Sequence, residues 1–227
     1  NTSREENPFE DEKIAAEWIN SVENEKGLIR DKEIYPHLEK WIELVNPKTV
    51  IEIGSGQGIC SEKINNQGIH YIGIEPSPLL TERARKLYAS NTREFILGDA
   101  YELPIKDVST DAVFSVNVWF HLRDLLSASK ELARVLKLNG HFLIITANPD
   151  LDSFWENCFI SYTKNGKVLD GKVKVPINPL SRNIIYQHTL DEICEALEKN
   201  GLIIEKIDTF GKLEVGDIFI YIQGKKP

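Results

Sequence analysis

The stretch "TVIEIGSGQGICSEKI" (residues 49–64) joins a short apolar run to a loop that has three glycines in five residues. Gly54, Gly56 and Gly58 leave the backbone open to a molecule that a side chain would keep away. A strand, a glycine-rich turn and a helix in succession are typical of nucleotide-binding folds, where amides at the helix start bind electron-rich groups. The spacing is not the dinucleotide fingerprint GxGxxG, whose third glycine would fall at position 59, which is Ile59.

Strand and helix patterns alternate along the rest of the chain. Short runs rich in Val, Ile and Phe predict strands at 49–53, 70–75, 94–98, 111–118 and 141–147. Apolar residues at helical spacing predict helices over 78–90 and 122–140. This alternation implies a parallel sheet covered on both faces. Two later runs, 201–211 and 216–226, are separated by too few residues for a crossover helix and must form an antiparallel pair.

Length, charge and cysteine content narrow the class of protein. The 227 residues suit one domain with a full core, and no apolar run is long enough to cross a bilayer. The N-terminal "NTSREENPFEDEK" is acidic, unlike a signal peptide, and three cysteines without metal-ligand spacing suit a reducing compartment. We therefore expect a cytoplasmic protein without a disulfide or zinc framework. The net charge of −8 disfavours broad binding to nucleic acid.

Five motifs in order, "EIGSGQG", "GIEPSPLL", "LGDAYELP", "SVNVWFHLRD" and "VLKLNGHFLI", resemble those of the class I S-adenosylmethionine-dependent methyltransferases, within them the type-11 methyltransferase group. The resemblance covers residues 40 to 225, and it departs from the family where Pro-Gly-Gly is usual and this chain has Leu138-Asn139-Gly140. Together with the strand patterns it implies an α/β fold with a Rossmann-like, doubly wound, mainly parallel seven-stranded sheet that ends in an antiparallel hairpin. An N-terminal helical lid and a small β insertion after the fifth strand complete the expected fold.

The resemblance also implies a cofactor and the residues that hold it. S-adenosyl-L-methionine, converted to S-adenosyl-L-homocysteine, would be bound by Glu52, Gly54, Ser55, Gly56, Gly58, Glu75, Pro76, Ser77, Asp99, Ala100, Asn117, Val118 and Trp119. Glu52 and the glycine loop would hold its amino-acid part, and Glu75 would bind both ribose hydroxyls. Pro76 and Ser77 would flank the adenine, with Asp99 near its exocyclic amine.

Three of these acids can also be interpreted without the family. Glu75 lies 23 residues after Glu52, near the roughly 20-residue interval at which an acid meets a ribose in nucleotide-binding folds. Its alternative is a solvated acid at a strand end. An unpaired charge at Glu52 would be costly in an apolar strand, so it should bond to a cofactor ammonium or to backbone amides. Asp99 either faces the cofactor or forms a turn after Gly98.

Methyl transfer from a sulfonium is an in-line displacement that needs alignment and exclusion of water but no metal. A hydroxyl or ammonium acceptor would also need a base. His121, just past the fourth strand, is either a base or orienting group or a helix-packing residue. The resemblance places Tyr186 and His188 at the acceptor, with His188 as a candidate base. The remaining histidines are expected to be structural: His37, His70 and His141.

Three other residues near the expected site have two interpretations each. Trp119 and Phe120 either wall the cofactor pocket, where an aromatic face favours a sulfonium, or pack in the core. Cys60, in the first turn of the helix expected after the glycine loop, is either a small buried side chain or a thiol with a lowered pKa.

The predicted organisation has four parts: 1–45 as the lid, 46–147 as the cofactor-binding half, 148–190 as a substrate-cap insertion, and 191–227 as the last helix and strand pair. Asn165-Gly166 and Asp170-Gly171 predict hairpin turns within the insertion. Residues 161–182 carry five cations and one acid, a net charge of +4. The lysines either protect a solvated edge or, with Arg182, attract an anionic acceptor.

The sequence therefore predicts an S-adenosylmethionine-dependent methyltransferase that acts on a small molecule. A methyltransferase acting on RNA or protein is the alternative within the same class of enzyme. A regulatory or scaffold protein that binds the cofactor without catalysis is the alternative from another class, because its glycine loop and Glu75 would look the same.

Overall fold

The computed structural model describes residues 6–24, 29–64, 68–151, 154–174, 179–214 and 216–227. Its strands are β1 (Thr49–Ile53), β2 (His70–Glu75), β3 (Arg93–Leu97), β4 (Thr110–Val116), β5 (Leu136–Ala147), β6 (Phe159–Asn165), β7 (Val168–Lys174), β8 (Pro179–Tyr186), β9 (Ile203–Leu213) and β10 (Gly216–Lys225). Seven of them form the central sheet in the order β3-β2-β1-β4-β5-β10-β9. The first five are parallel, and β10 runs antiparallel between β5 and β9, which confirms the predicted sheet.

Helices cover both faces of this sheet. They are α1 (Glu12–Asn24), α2 (Tyr35–Val45), α3 (Pro78–Tyr88), α4 (Leu125–Val135), α5 (Phe154–Cys158) and α6 (Leu190–Lys199). Neighbouring residues in β1 point to opposite faces, so Val50 packs with α2 and α3 while Ile51 packs with α4 and α6. Both are buried, as expected for a strand covered on both sides. No helix within the described ranges has the length and apolar character needed to span a bilayer.

Two predicted helices differ from the structure. The glycine loop leads into a 3-10 turn of five residues, Ile59–Lys63, and not into a full helix. The helix predicted over 122–140 ends at Val135, because Leu136 already pairs with Thr110 in the sheet. The chain then turns at Asn139, whose φ of 61° is left-handed.

The region after β5 forms the predicted β insertion, as a three-stranded antiparallel sheet in the order β6-β7-β8. Asn165-Gly166 begins its first turn, with Gly166 at a φ of 57°. The turn predicted at Asp170-Gly171 is wrong, since both residues lie inside β7. The glycine serves close packing there, because a Cβ at position 171 would stand 2.1 Å from the carbonyl oxygen of Ser161.

The N-terminal residues touch both the insertion and the main domain. Glu6 accepts hydrogen bonds from Arg182 on β8. Glu23 near the end of α1 pairs with Arg83 on α3 through contacts of 2.8 and 2.9 Å. The N-terminal segment therefore connects the small sheet to the helices that flank the central sheet.

Candidate active site

A cavity of about 1180 Å³ opens where the central parallel strands end. Residues at the carboxyl ends of β1, β2 and β4 line it, which is where open α/β sheets bind ligands. Small-molecule pockets usually measure about 300–1,000 Å³. This cavity therefore has room for two ligands side by side.

The three glycines of the loop have different surroundings, although they look equivalent in sequence. A Cβ at Gly54 would stand 2.3 Å from Val118, and one at Gly58 would stand 2.8 Å from Phe95. Around Gly56, which has a φ of 54° and lines the cavity, a Cβ would meet no atom within 4 Å. Packing within the protein explains the first two glycines, and only Gly56 leaves its space to a ligand.

Gly58→Ala should destabilise the fold without changing the cavity. The added methyl group would stand 2.8 Å from Phe95 and 2.9 Å from Ala84, on a backbone with a φ of 85°. Overpacking of this kind costs about 1–3 kcal/mol. Thermal unfolding should show a lower Tm, while cofactor affinity measured by calorimetry on the folded variant stays within a few-fold. Equal losses of stability and of cofactor affinity would mean that Gly58 belongs to the ligand site.

Two buried carboxylates lie beside the glycine loop. Glu52 is 1% exposed and accepts a 2.5 Å hydrogen bond from the Tyr71 hydroxyl. Glu75 is 6% exposed and accepts from the backbone N–H of Gly56 and of Ser77, each at 2.9 Å. Burial raises the pKa of both carboxyl groups to about 7. No ion pair between described residues gives either group a cation, so the cavity offers two acids to a cationic ligand.

Two buried hydroxyl groups near these acids have no hydrogen-bond partner among the described residues, those of Ser55 and Tyr35. Both residues line the cavity. Burying an unpaired hydroxyl is costly, so a bound molecule is the natural partner for each. Tyr35 is the first residue of α2, within the predicted lid region, and sequence analysis did not point to it.

Five further predicted cofactor residues also line the cavity: Pro76, Asp99, Ala100, Asn117 and Val118. Asp99 fits both of its interpretations. Its Oδ1 accepts from the backbone N–H of Tyr101 at 2.8 Å and of Glu102 at 3.1 Å, so it forms a turn at the cavity wall.

Three residues predicted to bind the cofactor lie outside the cavity lining. Gly58 packs against Phe95, as described above. Ser77 is fully buried and caps α3 through its Oγ, which accepts from the N–H of Leu80 at 3.4 Å. Trp119 is buried in the core, where its indole N–H donates to Ser115 at 2.7 Å. For Trp119 the core-packing interpretation is the one that the structure supports.

The His121 side chain lines the cavity and is fixed by the insertion. The Nδ1 hydrogen bond to the carbonyl oxygen of Ile184 on β8 is 3.0 Å long, so Nδ1 is the donor and Nε2 keeps a lone pair. The ring of Phe9 meets the imidazole edge-on at a centroid distance of 5.6 Å. Burial lowers the pKa of His121 to about 4, so the ring is neutral at physiological pH.

The other two residues expected at the acceptor have structural contacts. His188 lines the cavity, but its Nε2 bonds the carbonyl oxygen of Leu122 at 2.6 Å, and burial lowers its pKa. Tyr186 lies outside the lining and stacks on His188 with ring centroids 6.2 Å apart. These contacts hold the end of β8 against the loop after β4, and the roles of His188 and Tyr186 at the acceptor stay predictions.

Arg182 also lies outside the cavity lining. Its guanidinium donates to both carboxylate oxygens of Asp170, at 2.9 and 2.8 Å, and to Glu6. Two of the insertion lysines are paired as well, Lys164 with Glu156 and Lys167 with Glu192. Three acids from outside the segment, Glu6, Glu156 and Glu192, therefore offset most of its net charge of +4. We do not propose Arg182 as an anion contact.

Aromatic and charged side chains also line the cavity, and the charged ones include Arg123, Lys167 and Lys174. Aromatic side chains from the N-terminal segment, the loop after β4, the insertion region and β10 line it: Phe9, Trp18, Phe120, Phe154, Trp155 and Phe219. The Phe120 and Trp155 rings contact each other, with centroids 4.5 Å apart and a tilt of 54° between the ring planes. Of these residues, sequence analysis pointed only to Phe120 as a candidate pocket wall, because the apolar spacing of the others also fits ordinary core packing.

The burial of Cys60 agrees with one of its two predicted interpretations. Burial raises the pKa of its thiol well above the ordinary value, and the nearby Glu52 carboxylate raises it further. Cys60, which is half-buried, therefore keeps a protonated thiol at the wall of the cavity.

Comparison with known proteins places this site in a family context. Residues 51–144 match the family model described as "Methyltransferase domain". The demethylmenaquinone methyltransferase of Thermotoga maritima is 27% identical over 184 residues, 78% of each chain. A probable chloroplastic tocopherol O-methyltransferase of Oryza sativa is 35% identical over 105 residues, 44% of this chain and 29% of that protein. An S-adenosylmethionine dependent methyltransferase from Mesorhizobium loti has the same fold, with a TM-score of 0.60, 16% identity, and 78% and 90% of the two chains covered.

Proposed function

We propose that this chain, which is a class I S-adenosylmethionine-dependent methyltransferase, methylates a small acceptor that contains an apolar ring. The observation that carries the proposal is the division of the cavity into an acidic part at the glycine loop and a part walled by aromatic side chains. The names of two relatives, a demethylmenaquinone methyltransferase and a tocopherol O-methyltransferase, support a small-molecule acceptor.

The acidic part of the cavity fits S-adenosylmethionine, the cofactor of this class of enzyme. The cofactor is a cation with ribose hydroxyls, and when bound it supplies an electrophilic methyl group. Glu75 would accept from the ribose hydroxyls, since each of its oxygens has a second lone pair beyond its backbone bond. Glu52, with the unpartnered hydroxyls of Ser55 and Tyr35, would hold the amino-acid part. Gly56 would let the cofactor approach the loop backbone.

The aromatic part of the cavity would position the acceptor. Flat walls such as the Phe120 and Trp155 rings favour a planar apolar body. The N-terminal segment and the insertion, joined through Arg182, would exclude water from the cavity. His121 is neutral, so its Nε2 would accept a hydrogen bond from an acceptor hydroxyl and orient it. Because its pKa is low, His121 is better suited to orienting the acceptor than to holding a proton.

A turnover screen tests the proposed acceptor class. Transfer of a labelled methyl group from S-adenosylmethionine would be measured with ring compounds such as 2-naphthol, with polar amines such as glycine, and with transfer RNA. We expect turnover only in the first set. Turnover confined to the amines or to RNA would refute the aromatic acceptor, and cofactor binding without turnover in any set would favour the scaffold alternative.

Trp155→Ala should weaken binding of the acceptor without weakening binding of the cofactor. Loss of an aromatic wall should raise the KM of the best ring acceptor by about tenfold, while cofactor affinity by calorimetry stays within two-fold. Tyr162→Ala is the matched control, because Tyr162 is an exposed aromatic residue on β6 of the same small sheet. Parallel losses of acceptor and cofactor binding in Trp155→Ala would contradict the division of the cavity.

A further inference from the structure

A short turn near the N-terminus brings an aromatic side chain into contact with His121. The turn spans Pro8–Glu10, and its middle residue, Phe9, lines the cavity. The Phe9 ring meets the imidazole with centroids 5.6 Å apart and an angle of 87° between the ring planes. Trp18 on α1 meets the same ring, also edge-on, at 5.3 Å. Phe9 is therefore the point at which the N-terminal segment reaches the residue that we propose to orient the acceptor.

The position of Phe9 is set by capped backbone on both sides of it. Before the turn, the side-chain oxygen of Asn7 accepts from the Phe9 N–H at 3.1 Å. After the turn, Asp11 caps α1, because its Oδ1 accepts from the N–H groups of Lys13 and Ile14, each at 3.0 Å. The ring is thus held where it is by the local chain as well as by its neighbours.

The turn and the imidazole are anchored to the same strand, β8. Glu6, two residues before the turn begins, accepts hydrogen bonds from Arg182 on this strand. Two residues further along β8, the carbonyl oxygen of Ile184 accepts from Nδ1 of His121 at 3.0 Å. A displacement of the turn from β8 would therefore remove a neighbour of the imidazole and leave its hydrogen bond to the strand.

The groups that contact the His121 ring carry no charge. They are the rings of Phe9 and Phe120, the second at a centroid distance of 4.5 Å, and the Ile184 carbonyl. The charged residues on the neighbouring elements are Glu6, Glu10, Arg123, Asp124 and Arg182. Burial lowers the pKa of His121, and the Ile184 hydrogen bond acts against it. The covering of the ring is therefore what keeps it neutral, and Phe9 is part of that covering.

We propose that Phe9 is a positioning residue for the methyl transfer: its ring holds the His121 imidazole in place and keeps water away from it. The arrangement that orients an acceptor hydroxyl is then complete only while the Pro8–Glu10 turn lies in the cavity. Excluding water strengthens the hydrogen bond between the imidazole and the acceptor. This inference rests on the proposed function, because it assumes that His121 orients the acceptor.

Nuclear magnetic resonance of the histidine rings tests the proposal in the free protein. The ring-proton shifts are followed from pH 4.5 to 8, and the His121 signal is assigned with His121→Gln. We expect His121 of wild type to stay unprotonated above pH 5. Phe9→Ala should raise the pKa of His121 by at least about one pH unit, because water then reaches the charged form. Phe9→Tyr keeps a ring at this position and should restore the wild-type titration.

Two controls separate this effect from a general loosening of the fold. Phe154→Ala removes another phenylalanine of the cavity lining, whose ring contacts Trp155 at 5.2 Å, so His121 should titrate there as in wild type. His37 on α2, whose pKa is also lowered by burial, should keep its titration in Phe9→Ala. An unchanged His121 titration in Phe9→Ala overturns the proposal. Equal shifts of His37 and His121 overturn it as well, because the effect would then not be local.

A double-mutant cycle tests whether Phe9 acts through His121, with the ring acceptor that the turnover screen identifies. Phe9→Ala should lower kcat by about 3- to 10-fold in wild type, and by less than about twofold in His121→Gln, where no imidazole is left to position. Additive losses overturn the action through His121. Absence of turnover with every acceptor refutes the proposed function instead, and the ring titration still decides whether Phe9 holds His121.

Discussion

Gly56→Leu should abolish cofactor binding, with an affinity for S-adenosylmethionine at least about 100-fold weaker, while the protein stays folded. A Cβ at this position meets no atom within 4 Å, so the side chain would project into open space at the cavity. The loop is held in place by the Gly56 N–H, which donates to Glu75 at 2.9 Å. The leucine side chain would therefore occupy volume that the cofactor needs. Calorimetry with S-adenosylmethionine and a thermal melt measure the two halves of this prediction.

Gly58→Ala is the matched control for this result, because it adds a side chain to the same loop where the neighbours are protein atoms. The two variants should show opposite patterns, with affinity lost at 56 and stability lost at 58. The φ of 54° at Gly56 costs a leucine about 1–2 kcal/mol, which the fold should tolerate. Near wild-type affinity in Gly56→Leu would remove the loop from the cofactor site.

The contrast between these glycines shows what sequence can predict. The order of the central sheet follows from local patterns: short apolar runs, helical spacing between them, and a final pair of runs too close for a crossover. The functions of Gly54 and Gly58 do not follow from such patterns, because they depend on Val118 and Phe95, which reach the loop from distant parts of the chain. The sequence predicts the glycine-rich loop, but only the packed structure distinguishes the roles of its three glycines.

The same reasoning explains the site residues that sequence missed or misplaced. Ser77 and Trp119 lie in the motifs that the family resemblance quotes, yet their polar atoms are used inside the fold, on Leu80 and Ser115.

The two buried acids give the free protein a pH-dependent stability. Burial raises their pKa values from 4.5 to about 7, and mutual repulsion with Glu75 adds to the rise at Glu52. Because the folded state holds these protons more tightly than the unfolded state, their contribution is full below pH 4.5 and is lost as the pH rises through 7. The loss is on the order of 3 kcal/mol for each acid. Glu52→Gln keeps a side-chain oxygen that accepts from Tyr71. The Tm of this variant, relative to the Tm of wild type, should increase as the pH is raised from 5 to 7.5.

Cofactor affinity should change with pH in the opposite direction, and strongly. The cofactor should bind best when both acids are ionised, since an ionised Glu52 attracts its ammonium group and an ionised Glu75 accepts from both ribose hydroxyls. Binding should therefore release protons near neutral pH. With a pKa of about 7, lowering the pH from 7.5 to 6 should weaken affinity by about eightfold for each acid. The acids titrate as a pair, so the change is read from the whole profile. Calorimetry in two buffers of different ionisation enthalpy measures both affinity and the protons released.

Variants at the two acids identify the source of this pH dependence. Glu52→Gln and Glu75→Gln should each bind S-adenosylmethionine more weakly at pH 7.5, release fewer protons, and show a flatter profile than wild type. Glu62→Gln, at an exposed acid on the nearby Ile59–Lys63 turn, should match wild type throughout. A wild-type affinity that is level between pH 6 and 7.5 would mean that cofactor binding does not depend on the ionisation of the buried carboxyl groups. The cofactor would then have to be held by the loop backbone and the hydroxyl groups of Ser55 and Tyr35 alone.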